Sequence, residues 1–377
     1  EGPYRDHGPL VCQPDGSIDA FPIRDESGKL FLVWKEDGNS IKQPTPIFAQ
    51  QMNEERTAMV GEKVELFRNS LPWEGNLVEG VSIIKHEEYF YAFYAAAGCC
   101  GPGCNYKTGI ARSKKLFGPW EKFEKNPLLP DDATWRCKGH GTPVEKNGKY
   151  YFLYHAYRQD QGVYTGREGL IQPFHFTADK WIEFDSSPAV QAIAENRDFQ
   201  DDFTKPSLKQ EWQWSVAKMP GYKIDNGSLH LKGYNSLGGT FLGIKTLSKS
   251  FSAIVDINRK ATTAGTGISV IGDDDNAVSL IAENDSIFVS IIKDSTEQKI
   301  FSRKAPAEGN YRLGVRVLNG NKLVFFYDTG ASRIQVNQEP LDASSLPPWD
   351  RALRIGFTSR GSGEAVIDKF TVTFIAN

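Results

Sequence analysis

Asp19 and Glu79 stand 60 residues apart, and Gly139, with His140 beside it, stands 60 residues beyond Glu79. Two carboxylates and an imidazole are equipment for general acid–base chemistry. Hydrolysis of a glycosidic bond needs such a pair: a carboxylic acid to protonate the leaving oxygen and a carboxylate to activate water. The acid must keep its proton near neutral pH, and a second carboxylate held close by favours that, because two like charges are unfavourable together. Sixty residues separate each group from the next, so the chemistry depends on elements that bring them together.

Those elements repeat. Asp19 to Trp34 reads DAFPIRDESGKLFLVW, Glu79 to Tyr94 reads EGVSIIKHEEYFYAFY, and Gly139 to Tyr154 reads GHGTPVEKNGKYYFLY. Each begins with a short apolar strand, turns at a polar tip and returns as a strand rich in Phe, Tyr, Leu and Val. A strand-only repeat of this length marks a β-propeller with one four-stranded blade per unit. The innermost strand of each blade lines the channel, so Asp19, Glu79 and His140 are expected to converge at one mouth. About three blades fit before residue 190, whereas a ring takes ~4–8. An N-terminally incomplete propeller is therefore expected over 1–192.

From about residue 198 the texture changes. SLHLKGY, FSAIVDINRK, GISVIGD, AVSLIAE and SIFVSIIK alternate apolar and polar residues, and Asn319-Gly320 is a two-residue hairpin signal. Many short alternating strands predict a β-sandwich over 199–377. The fold class is all-β, since no long helical period occurs.

Composition narrows the function. The net charge of −3 and the scattered basic residues give no footprint for nucleic acid, and no apolar run approaches the 18 residues of a membrane span. Aromatic residues at 12% suit β-sheet cores and also suit sugar binding, where flat rings stack on sugar faces. Five cysteines include the cluster Cys99-Cys100-Gly-Pro-Gly-Cys104, which lacks the paired spacing of a zinc site. Either Cys104 is bridged to Cys99 or Cys100, or these are free thiols on a turn; Cys12 and Cys137 are expected in the core.

The ordered series GSIDAFPIRDESGKLFLVW, WEGNLVEGVSIIKHEEYFYAFY, GIARSKKLFGPWEK, KGHGTPVEKNGKYYFLYHAY and GREGLIQPFHF resembles glycoside hydrolase family 43 over residues 1–190. That resemblance implies a five-bladed propeller and inverting, exo-acting hydrolysis of xylose- or arabinose-containing plant poly- or oligosaccharides. It implies a secreted or periplasmic location and needs no cofactor for the chemistry. Glu79, in Val-Glu-Gly, matches the general acid. Asp19, in Ser-Ile-Asp-Ala-Phe, matches the carboxylate that tunes and orients that acid. His140 matches the channel histidine, and Arg167, in Thr-Gly-Arg-Glu, an arginine that reaches the substrate pocket. No position matches the family's general base, which makes a non-catalytic carbohydrate-binding protein the alternative. The region after residue 198 resembles the concanavalin-like sandwich that follows the propeller in many members.

Three further expectations come from the residues. Trp73, six before Glu79, is either a stacking platform for sugar or a core residue, and Phe21 is expected at the pocket wall. Asp202 and Asp368, with Asp201, are candidates for a structural calcium where the first and last sandwich strands meet.

Overall fold

The computed structural model describes residues 3–186, 198–306, 308–346 and 352–375. Among these, the regular elements are strands and two short 3-10 turns. The chain divides into two compact units, Glu1–Gln159 with Glu168–Ala192, and Asp160–Arg167 with Ile193–Asn377. The division expected at 192–199 falls mostly outside the described residues. Segment 160–167 was expected with the first unit but goes with the second. There the Gln161 side chain accepts the Lys249 amide at 2.9 Å, and the Tyr164 carbonyl accepts the Leu353 amide at 3.0 Å.

The first unit holds three four-stranded antiparallel sheets. The first comprises β1 (Ser17–Arg24), β2 (Leu30–Glu36), β3 (Ile47–Met52) and β4 (Met59–Phe67). The second comprises β5 (Val78–His86), β6 (Tyr89–Ala96), β7 (Lys107–Ser113) and β8 (Glu121–Lys122). The third comprises β9 (Trp135–Lys146), β10 (Lys149–Arg158), β11 (Glu168–Phe176) and β12 (Ile182–Phe184). In each sheet the strands lie in chain order, so β1, β5 and β9 are equivalent edges.

Side chains of a strand alternate between faces, so a strand covered on both sides reads as a continuous apolar run. β6 shows this. Phe90, Ala92, Tyr94 and Ala96 join the core shared with Phe31, Val33 and Ala49 of the first sheet. Tyr91 and Phe93 join Phe152, Tyr154, Leu170 and Phe174 of the third. The second sheet is therefore buried on both faces. The third packs one face and leaves Val144, Leu153 and Ile171 exposed on the other.

The three first strands share a distortion. β1 loses its register with β2 between Ile18 and Phe21, and β5 with β6 between Glu79 and Ser82. At the corresponding places Asp19, Gly80 and His140 adopt φ of 59°, 61° and 47°. A bulge with a left-handed residue bends the strand and re-aims its side chains. The pairings Ile18–Lys35, Glu79–Ala95 and Gly139–His155 show that Ile18, Glu79 and Gly139 are equivalent. Asp19 is thus equivalent to Gly80 and His140, one residue off the match made by spacing alone. The first hairpin turns through five residues, 25–29, where the other two use two, and this shifts the register.

The second unit contains two antiparallel sheets sharing one apolar core. One includes Ser228–Lys232, Glu364–Phe374, Phe251–Ile257, Tyr311–Leu318 and Lys322–Asp328. The other includes Thr240–Lys245, Arg354–Arg360, Gly265–Asp273, Asn276–Glu283 and Ser286–Lys293. Leu231, Val255, Leu313 and Phe370 of the first sheet and Ile268, Leu280, Ile355 and Phe357 of the second lie in that core.

Phe93 is fully buried and stacks on Phe152 at 5.0 Å between the second and third sheets. Phe93→Ala is expected to cost about 3–5 kcal/mol in urea denaturation, through lost burial and the cavity left behind. Leu153→Ala, on the exposed face, is expected to cost under about 1 kcal/mol.

Candidate active site

Glu79 is the second residue of β5, and both of its carboxylate oxygens are held. Lys35, at the end of β2, places its ammonium 2.7 Å from Oε2 and 2.8 Å from Asp37 Oδ1. The Lys35 side chain is only 1% exposed, and a buried ammonium is tolerated only beside carboxylates. The Tyr106 hydroxyl donates to Oε1 at 2.7 Å. Three elements therefore fix the Glu79 carboxylate: its own strand, a lysine from the first sheet and a tyrosine from the loop before β7.

Asp19 lies beside it. Its Oδ2 accepts the Gly80 amide at 2.8 Å, so the two bulges are hydrogen-bonded across the sheets. Its Oδ1 is 3.9 Å from His140 Nε2. Burial pushes the Asp19 carboxyl above its ordinary range; His140, the Gly80 amide and Lys35 oppose the shift, and Glu79 adds to it. Gly80 makes this approach possible. Its φ is positive, and a Cβ there would stand 2.8 Å from the His140 ring. The residues expected to converge are thus assembled: Asp19, Glu79 and His140 meet through three consecutive first strands.

Lys35 and Tyr106 were not singled out by sequence reasoning. Lys35 had a signal, a charge ending the buried strand Leu-Phe-Leu-Val-Trp, where such a residue requires a partner. Tyr106 had none, since nothing in its spacing ties it to the repeat.

The other expected residues sit differently. Phe21 and Trp73 are partly buried and pack against the core shared by the first and second sheets. The Trp73 ring lies against Tyr94 at 6.0 Å. Neighbouring Glu74 is fully buried and accepts the Ser70 and Leu71 amides, the Tyr94 hydroxyl and Lys122, which anchors the loop leading into β5. Arg167 belongs to the second unit, where it lines a cavity of about 790 Å³ with Trp214, Phe241, Lys245 and Arg354.

The calcium expectation has no supporting geometry. Asp201 accepts the Trp212 indole N–H and the Phe203 amide, Asp202 accepts the Thr204 hydroxyl, and Asp368 accepts the Ser228 hydroxyl. These carboxylates serve protein donors where the strands Phe199–Asp201 and Glu364–Phe374 pair. Among the described residues no group of three or more His, Cys, Asp or Glu is placed to hold a metal ion. Cys137 is buried as expected, but the pairing differs from expectation: Cys104 is bonded to Cys137 and Cys99 to Cys100, while Cys12 is free and exposed.

Residues 1–182 match the family described as Glycosyl hydrolases family 43. This first region of the chain is a glycosyl hydrolase family 43 domain. A non-reducing end alpha-L-arabinofuranosidase of Bacteroides ovatus is 26% identical over 278 residues, covering 64% of this chain and 51% of that protein. A xylan 1,3-beta-xylosidase of a Vibrio species is 24% identical, covering 63% and 49%. The chain spans about half the length of these curated relatives. In fold, it superposes on a variant of the GH43 protein BlXynB of Bacillus licheniformis with a TM-score of 0.76 at 24% identity, covering 100% of this chain and 78% of that one. A xylan beta-1,4-xylosidase of Bacillus halodurans gives 0.75 at 20% identity, covering 94% and 76%.

The Asp19 environment predicts a pH-dependent stability. A carboxyl whose pKa is raised by folding is favoured in its protonated form, so its contribution is fully present below about pH 4 and lost as pH rises through the raised value. Asp19→Asn removes the buried charge and keeps an acceptor for the Gly80 amide. Thermal unfolding is expected to show Asp19→Asn more stable than the unaltered chain at pH 7, with the gain gone at pH 3. A loss at pH 7 would mean that His140 and Lys35 outweigh burial.

Proposed function

We propose that this chain belongs to an inverting, exo-acting glycoside hydrolase that removes xylose or arabinose from the ends of plant poly- or oligosaccharides. The observation that carries the reading is the juxtaposition of Asp19 with a Glu79 whose carboxylate is aimed by Lys35 and Tyr106. Glu79 is the general acid that protonates the leaving glycosidic oxygen. Asp19, joined to the same bulge through the Gly80 amide, orients that acid and adds a neighbouring negative charge. His140, 42% exposed beside Asp19, is available to a sugar hydroxyl.

Inversion requires water to attack the anomeric carbon from the side opposite the leaving group. The base that activates it stands ~6.5–9.5 Å from the acid. We assign that base to a carboxylate on a further blade of a five-bladed propeller, of which the three sheets here are consecutive members. Supporting this, the exposed Val144, Leu153 and Ile171 form an apolar sheet face of the kind that packs against a neighbouring blade. The two sheets of the second unit are read as the concanavalin-like sandwich.

The pentose substrate is supported by the names of the relatives, an arabinofuranosidase and a xylosidase. A location in an oxidising compartment is supported by the two disulfides and by similarity to an extracellular exo-arabinofuranosidase of Cellvibrio japonicus. No helix among the described residues is long and apolar enough to cross a membrane.

The test, made on the protein carrying that further blade, is hydrolysis of nitrophenyl β-xyloside, nitrophenyl α-L-arabinofuranoside and the matching disaccharides, with the product anomer read by NMR. Glu79→Gln is expected to lower turnover of a disaccharide by about 10²–10⁴-fold, and to lower that of the activated nitrophenyl glycoside less. Unchanged disaccharide turnover in Glu79→Gln would overturn the acid assignment. Saturable sugar binding with no turnover in the protein carrying that further blade would favour the carbohydrate-binding reading.

A further inference from the structure

Tyr106 reaches Glu79 from a loop, and that loop is tied to the third sheet. The segment between β6 and β7 closes partly on itself: the Gly98 amide donates to the Asn105 side chain at 2.7 Å, and the Asn105 amide to the Gly98 carbonyl at 3.0 Å. Cys104, two residues before Tyr106, is covalently bonded to Cys137 of β9. β9 is also the strand whose bulge carries His140, three residues further on. The Tyr106 ring lies directly on that strand, since a Cβ on Gly139 would stand 2.4 Å from the ring. The ring also stacks on His155 of β10 at 6.0 Å with 8° between the planes. The hydroxyl then meets Glu79 on the second sheet at 2.7 Å.

We propose that the Cys104–Cys137 disulfide is a positioning element of the site, holding Tyr106 in hydrogen-bonding reach of Glu79. Breaking the bond frees the chain two residues from Tyr106 and loosens the hydrogen bond on Oε1. Reduction by a dithiol such as dithiothreitol transfers two electrons and two protons to the bridge, giving two cysteine thiols, while the dithiol closes to its own disulfide. Cys104 and Cys137 are 8% and 0% exposed, so substitution interrogates the bridge more directly than a reductant does. The kinetic part of the inference rests on the proposed role of Glu79; the structural part does not.

The structural part is tested by a double-mutant cycle in urea on the full chain: unaltered, Tyr106→Phe, Cys104→Ser with Cys137→Val, and all three together. The valine keeps the buried position filled. Tyr106→Phe is expected to lower the unfolding midpoint in the bridged chain, and by less than half as much in the bridge-free chain. Equal shifts would overturn the proposal. Should the bridge-free chain not fold, the cost of Tyr106→Phe is compared before and after native-state reduction in a Cys99→Ala/Cys100→Ala background, where a single bridge responds; equal costs again overturn it.

In turnover by the protein carrying the further blade, removal of the bridge is expected to cost about 10-fold or more in kcat on a disaccharide relative to a nitrophenyl glycoside, with KM nearly unchanged, because only the poor leaving group depends on a well-aimed acid. A merely structural bridge would lower both rates alike, and that result would sink the inference. If Glu79→Gln itself left turnover intact, the acid assignment would fall, and the urea cycle would still decide whether the bridge positions Tyr106.

Discussion

A buried ammonium organises this site. The Lys35 side chain is 1% exposed, and removing such a charge from water without compensation costs several kcal/mol. The compensation lies on two sides: Asp37, just beyond β2, and Glu79, on the next sheet. The first sheet thereby dictates where the Glu79 carboxylate points. A surface ion pair has little such authority, because water screens it and the side chains have alternatives. Here Oε2 is committed to Lys35 and Oε1 to Tyr106, so the carboxylate is set before any ligand arrives.

Backbone conformation supplies the second constraint. The three bulges put Asp19, Gly80 and His140 in the left-handed region, which is costly for residues with a Cβ and persists only where surrounding contacts impose it. Two of the three positions carry chemistry-bearing side chains, and the third is the glycine that lets them approach. The Gly80 amide, turned outward by the bulge, becomes the donor to Asp19. One strand equivalence thus yields a carboxylate, an amide and an imidazole in a row, and the side chain just before the glycine is Glu79.

The strand repeat, the all-β class, and Asp19, Glu79 and His140 were legible in the sequence because alternation and recurrence at a fixed interval reflect backbone geometry directly. The one-residue offset was not legible. The extra length of the 25–29 turn can be located only by cross-strand pairing. Tyr106 and the Cys104–Cys137 bond depend on contacts between a loop and a different sheet, which carry no period. Segment 160–167 looked continuous with the strands around it, yet its hydrogen bonds to Lys249 and Leu353 give it to the second unit. The sequence does not show that the acidic residues considered for calcium accept hydrogen bonds from Trp212, Thr204 and Ser228.

Two glutamates five residues apart show how donor counting separates a structural carboxylate from a reactive one. A carboxylate offers about four acceptor sites. Glu74 meets two amides, a hydroxyl and an ammonium that touches both of its oxygens, and it is wholly sealed from solvent. It has no capacity left for a substrate, and its role is to fix the loop that delivers β5. Glu79 meets one donor on each oxygen and keeps 11% of its side chain exposed. It retains a lone-pair direction on each oxygen and an opening through which a leaving group can approach. Asp19, with one amide donor and 16% exposure, is in the same condition. In this site, the carboxylates that keep acceptor capacity are the pair that the bulges bring together. A site shaped only for stability would have saturated them as it saturated Glu74.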